Sequence, residues 1–123
     1  MSGKRILVVD DEADIVDLLR DLLSAEGYTV DSAPNAGGAL DLIRANIYDA
    51  ALLDFNLPDM DGVMLHRQIR QLDEELAGRT IFMSGLVQTD TNMEYYSTAS
   101  GCFLSKPFDI EDVIAALRSV LNE

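Results

Sequence analysis

Apolar and polar positions along the chain follow two periods in turn. In four stretches apolar residues recur at i, i+3, i+4 and i+7 or close to it, which predicts helices. The first carries Ile15, Leu18, Leu19, Leu22 and Leu23 and ends near Gly27. The second carries Ala36, Ala39, Leu40 and Ile43, with Gly37-Gly38 weakening its start. The third carries Leu65, Ile69, Leu72 and Leu76 and runs to Gly78. The last carries Ile110, Val113, Ile114, Leu117, Val120 and Leu121, with Asp109 as its N-cap shortly after Pro107. Residues 91–99 predict a further helix, whose face is marked only by Met93, Tyr96 and Ala99.

Between the helices lie short strand candidates at residues 5–10, 28–31, 50–54, 80–84 and 102–105. Most are continuous apolar runs, as expected of strands covered by helices on both faces. Tyr28-Thr29-Val30 alternates instead, which marks that strand as an edge. Strands alternating with helices through short loops predict an α/β fold with a five-stranded parallel sheet and right-handed crossovers. In such open sheets ligands bind beyond the carboxyl ends of the strands, where the strand order reverses. The last residue of each strand therefore faces one prospective site.

That edge is polar and charge-complementary. Ile6-Leu7-Val8-Val9 ends on Asp10 and Asp11, and Leu52-Leu53 ends on Asp54 before the turn Phe55-Asn56-Leu57-Pro58-Asp59-Met60-Asp61-Gly62. The fourth strand ends on Ser84, and the fifth leads to Lys106. Two unit charges about 4 Å apart repel by roughly 4 kcal/mol at an effective dielectric of 20, so clustered carboxylates call for a cation. An oxygen-only cluster suits a hard divalent ion such as Mg²⁺. Asp11, Asp54 and a backbone carbonyl just past Asp54 are the candidate ligands. Asp54 is then placed as a nucleophile towards phosphorus, with Lys106 and Ser84 binding the transferred phosphoryl group.

Composition narrows the setting. The 123 residues suffice for one domain with its own core, and 48% hydrophobic with 25% charged residues is ordinary for a globular protein. Net charge is -13, from 22 acidic against 9 basic residues, which argues against direct nucleic-acid contact by this domain. Cys102 is the sole cysteine, so no internal disulfide can form. No apolar stretch approaches the roughly 18 residues of a membrane span, and no signal-peptide pattern is present, so a cytoplasmic location is expected.

The motifs at the sheet edge resemble the receiver domain of two-component response regulators, including chemotaxis-regulator-like ones. Val8-Val9-Asp10-Asp11-Glu12 is similar to the family's acidic pair, and Leu53-Asp54-Phe55-Asn56-Leu57-Pro58-Asp59-Met60-Asp61-Gly62 to its phosphoacceptor segment. Ser84-Gly85 and Lys106-Pro107-Phe108 match its Ser/Thr step and its lysine–proline pair. The resemblance runs from Arg5 to the last helix and implies a doubly wound (βα)5, flavodoxin-like, three-layer αβα fold. It makes Asp54 the phosphorylated residue, gives Asp10 and Asp11 to Mg²⁺ with the main-chain oxygen of Asn56, and has Ser84 and Lys106 read the phosphoryl group. It implies as partners a sensor histidine kinase or a histidine phosphotransfer protein, and a downstream protein target. A switch is also implied: Ser84 moves towards the phosphoryl oxygens, Phe103 turns inward, and the surface made by the 91–99 segment, the last strand and the last helix changes. Phosphorylation-dependent dimerisation is compatible with this scheme. Plain core packing is the other reading of Phe103. Two departures from the family pattern stand near the switch: Ala99 replaces a common glycine, with Gly101 following, and Leu86 lies two residues after Ser84.

The same residues admit two other functional readings. A haloacid-dehalogenase-type phosphatase also uses a strand-terminal aspartate, but it needs a general acid two residues later, where this chain has Asn56. A phosphate-independent, receiver-like binding module is the third reading, although every polar residue phosphate chemistry needs is present. Residues 1–123 are read as a single domain with no output domain, either stand-alone or excised, and not as a turnover enzyme. His66, on the third helix, is read as surface decoration, and Asp73-Glu74-Glu75 as a solvated helix end. Gly37-Gly38 lacks the lysine and spacing of a phosphate-binding loop and is read as a turn or helix start. Tyr95-Tyr96 is either a docking patch or half packing.

Overall fold

Strand β1 (Arg5–Val9) lies between β2 (Thr29–Ala33) and β3 (Ala50–Asp54), and β4 (Thr80–Ser84) and β5 (Phe103–Ser105) extend the sheet beyond β3. All neighbouring strands pair in parallel. The helices are α1 (Ala13–Ala25), α2 (Ala36–Ala45), α3 (Gly62–Leu72), α4 (Glu74–Gly78) and α5 (Ile110–Leu121). The computed structural model describes residues 3–55, 57–84, 103–105 and 109–122, with backbones alone described at Ser84, Phe103 and Ser105. The helix expected over 91–99, with Tyr95 and Tyr96, lies outside the described residues, as do Leu86, Gly101, Cys102 and Pro107.

The apolar runs split by parity, as the period of 2 along a strand requires. Leu7, Val9, Ala51, Leu53 and Phe82 pack with α2, α3 and α4 on one face. Ile6, Val8, Ala50, Leu52, Ile81 and Met83 pack with α1 and α5 on the other. This is the three-layer αβα arrangement that continuous apolar strands predict, and burying each Leu or Ile side chain contributes roughly 1.5–3 kcal/mol. The alternating strand, β2, is indeed an edge, with Thr29 exposed and Ala33 buried. At the amino end of the sheet Arg5 reaches across to Asp31 of β2 at 2.8 Å and stacks over the Tyr48 ring. The Tyr48 hydroxyl donates to the same Asp31 carboxylate, and burial together with that anion pushes its pKa up to about 12. Among the described residues no helix is long and apolar enough to cross a membrane.

Two expectations are corrected here. The third helix does not run unbroken to Gly78. It stops at Leu72, and Asp73 adopts extended angles (φ -156, ψ 95) and caps the separate α4, its carboxylate accepting from the Leu76 amide at 3.1 Å. Aspartate competes for backbone donors in this way and breaks helices that apolar spacing alone would continue. Nor is His66 surface decoration, because it is fully buried. Its Nε2 lies 2.8 Å from the Ala77 carbonyl, and since a carbonyl only accepts, Nε2 carries the proton. Thr80 Oγ1 donates to the Leu76 carbonyl at 2.8 Å, so side chains from two other elements satisfy the last carbonyls of α4. The His66 ring also packs against Phe82, with centroids 5.2 Å apart.

Burial holds the His66 imidazole below its ordinary pKa, an effect that Arg70 reinforces and the Ala77 carbonyl opposes. A folded-state pKa below the unfolded value of about 6.5 means that this contribution to stability is complete above about pH 6.5. It is lost as pH falls from there through the folded pKa. Melting curves between pH 8 and 5 should show a fall in Tm for the wild type that is smaller in His66→Gln. Equal pH slopes in the two proteins would contradict it.

Candidate functional site

The site lies where the chain reverses its direction of travel through the sheet. From β1 it steps outward to β2, then returns past β1 to β3, leaving the carboxyl ends of β1 and β3 side by side. Val9 pairs with Leu53, so Asp10 and Asp54 follow in equivalent positions on adjacent parallel strands. Both are buried, at 1% and 5% exposure, a level carboxylates seldom reach without partners.

The local turn brings in a third carboxylate. Asp10 Oδ1 accepts from the Glu12 amide at 2.9 Å, a side-chain-to-backbone bond two residues on that bends the chain back over the strand end. Glu12 occupies the N-cap position of α1 but makes no side-chain capping bond there. One carboxylate oxygen from each of Asp10, Glu12 and Asp54 lies within 4.8 Å of the others. Asp11, the ligand expected beside Asp54, is exposed and stands outside this group of three. The turn closed by Asp10 places Glu12 in one group with Asp54. The N-cap position of α1 belongs to Glu12, not to Asp10 or Asp11.

The next strands continue the edge. Asp54 pairs with Met83, one residue before Ser84, and Ser84 pairs with Ser105. The backbones of Ser84 and of Phe103 thus stand in β4 and β5 as expected, with Ser84 at the carboxyl edge. Lys106 and Asn56 lie outside the described residues.

The loop after Asp54 is tightly held. Phe55 donates its amide to the Met83 carbonyl at 2.9 Å, and Gly62 donates to the Phe55 carbonyl at 2.8 Å. A Cβ on Gly62 would lie 3.0 Å from Phe55 Cα, a tight contact with backbone that glycine avoids where α3 starts close to the strand end. Asp61 caps α3 through the Met64 amide at 2.8 Å. Asp59 reaches sideways to α2, accepting from Ala36 at 2.9 Å and Gly37 at 3.0 Å. The Ala36 amide, then the Gly37 amide, lower its carboxyl pKa. Gly37-Gly38 is accordingly the first turn of a helix, with Asn35 as N-cap. Sequence reasoning missed Asp59 and Glu12. A Pro58-Asp59 turn looks local, and its partners lie 22 and 23 residues away.

Residues 6–118 match the response regulator receiver domain family. This chain belongs to that family. The receiver domain is 32% identical over 121 residues to sporulation initiation phosphotransferase F of Bacillus subtilis (strain 168), covering 98% of this chain and 96% of that protein. It is 34% identical over 118 residues to response regulator MprA of Mycobacterium sp. (strain KMS), spanning 96% of this chain but only 50% of that protein. Among solved structures, a CheY-like receiver domain protein from Methanospirillum hungatei JF-1 superposes with a TM-score of 0.89 at 30% identity, covering 98% and 95% of the two chains. The response regulator TrrA from Thermotoga maritima, solved in complex with Mg²⁺-BeF, gives a TM-score of 0.83 at 28% identity, covering 96% and 99%. Phosphorylation-dependent signalling is the standard function of receiver domains of this family.

Proposed function

We propose that Asp54 accepts a phosphoryl group from a phosphohistidine of a sensor kinase or histidine phosphotransfer protein, and that the modified domain controls a protein partner. The observation that carries this reading is the grouping of buried Asp10 and Asp54 with the exposed Glu12 at the reversal of strand order. Its donors are all carboxylate oxygens, the chemistry a hard dication selects. On the resemblance, Asp11 and the main-chain oxygen of Asn56 complete the oxygen set. Mg²⁺ bound there supplies positive charge against the carboxylates and the phosphoryl oxygens.

The chain's own residues do the rest. An Asp54 carboxylate oxygen attacks phosphorus, the P–N bond to the donor imidazole breaks, and the imidazole nitrogen takes a proton as it leaves. Leu53, which precedes Asp54, and Met83, which pairs with it, are fully buried, so the sheet behind the carboxylate is apolar. Lys106 and Ser84 carry the assigned roles of holding the phosphoryl oxygens. The altered face is that formed by the 91–99 segment, β5 and α5, and Phe103 is its aromatic switch residue.

Incubation with a small acyl-phosphate donor and Mg²⁺ tests the reading directly. The expected result is one phosphoryl group per chain, located on the peptide containing Asp54 and absent when the metal is chelated. Repeated turnover of a phosphate monoester without accumulation of a phosphoprotein would favour the phosphatase alternative instead.

A further inference from the structure

The amino end of α2 is satisfied in an unusual way. Its first-turn donors need acceptors from outside the helix. Asn35 takes the Gly38 amide at 2.8 Å with its side chain and the Ala39 amide with its carbonyl. The amides of Ala36 and Gly37 go to the two carboxylate oxygens of Asp59, one each. The first turn of α2 has no acidic residue of its own, so Asp59 also supplies the anion that the helix dipole favours there. Asp59 is exposed, and its neighbours in the loop, Leu57 and Met60, pack partly buried against the core.

Viewed from the other side, the same two bonds hold the tip of the loop that follows Asp54. Its base is fixed by Phe55 on β4 and by Gly62 on Phe55. We propose that Asp59 is a positioning residue that straps the phosphoacceptor loop to α2 and so presets the loop for metal binding beside Asp54. The inference rests on the proposed function, in which this loop lends a main-chain oxygen to Mg²⁺. Groups that orient metal ligands without touching the metal affect affinity strongly, and holding a loop in place reduces the ordering cost of binding.

The test is a calorimetric Mg²⁺ titration of the unphosphorylated wild type, Asp59→Ala, Asp59→Asn and Asn35→Ala, with amide NMR spectra of each. Asp59→Ala should weaken Mg²⁺ binding by about tenfold, the lower end of the range for lost supporting contacts. Asparagine keeps one acceptor oxygen, so Asp59→Asn should fall between wild type and alanine. Asn35→Ala removes a cap from the same helix but leaves the strap, so it should lower Tm while Mg²⁺ affinity stays near the wild-type value. The Ala36 and Gly37 amide signals should move in Asp59→Ala, and that of Gly38 in Asn35→Ala. An unchanged affinity in Asp59→Ala, or an equal loss in Asn35→Ala, overturns the strap. A wild type that takes up no Mg²⁺ overturns the underlying reading of the site, an outcome separable from the first two.

Discussion

Asp54→Asn is expected to lose Mg²⁺-dependent phosphoryl labelling and to melt at a higher temperature than the wild type in metal-free buffer. The first effect follows from chemistry. The amide has no anionic oxygen to attack phosphorus, and deleting a nucleophile costs on the order of 10⁴-fold or more in rate. The second follows from geometry. Carboxylate oxygens of Asp10, Glu12 and Asp54 lie within 4.8 Å of one another, with Asp10 and Asp54 nearly buried. The gross repulsion of a charge pair at such a distance is about 3–4 kcal/mol at an effective dielectric of 20. Hydrogen-bond partners and solvent near Glu12 reduce this, leaving a net gain of about 1 kcal/mol, or a few degrees in Tm. Mg²⁺ should raise the wild-type Tm and leave that of Asp54→Asn nearly unmoved. Labelling and thermal scans with and without chelator measure all three effects. Undiminished labelling of Asp54→Asn would sink the assignment, and a lower metal-free Tm would show that Asp54 is needed for the fold.

Phe82→Ala should be the most damaging core substitution in the described part of the sheet. Among the described residues Phe82 is the largest fully buried side chain, and it lies in the middle of β4. It pairs in register with Leu53 of β3 and Phe103 of β5, and its ring meets that of His66 at an interplanar angle of 60°. Truncation removes the transfer term, leaves a cavity under α3 and α4, and breaks the tilted ring contact. Together these cost roughly 3–5 kcal/mol, against a total stability of about 5–15 kcal/mol for a domain of this kind. Urea unfolding should show the midpoint falling with little change in slope. Phe82→Leu, which keeps most of the volume, should lose far less. A loss under about 1 kcal/mol in the alanine variant would mean that the core tolerates a void beside His66, contrary to the close packing of protein interiors.

The elements that were legible in the sequence are those whose signal is local. Apolar runs of matched length located the strands to within a residue or two, and β3 and β4 appear with the expected bounds. Helical spacing located α1, α2 and α5, and the polar alternation after Tyr28 identified the edge strand. The break at Asp73 was hidden because Leu72 and Leu76 keep the helical spacing across it. Only the capping bond to the Leu76 amide ends one helix and starts another. His66 was misjudged for a related reason. A single polar residue on an amphipathic helix carries no sign of burial, and its acceptor, Ala77, belongs to a helix that the spacing did not reveal.

The site divides along the same line. Residue order alone put Asp10 and Asp54 at the ends of two apolar strands, because a chain that leaves a buried strand on a carboxylate places that charge at the sheet edge. Membership of the receiver family was legible in the same motifs, spaced along the whole chain. Tertiary structure decided that Glu12 joins Asp10 and Asp54 in one carboxylate grouping, by way of the Asp10–Glu12 turn. It also decided that Asp59 serves a helix more than 20 residues away in sequence. Spacing and hydropathy specify which face a residue occupies on its own element, because those depend on backbone period alone. Which groups meet across elements depends on how strands cross over and loops close, and such contacts form only once the sheet and its helices are assembled.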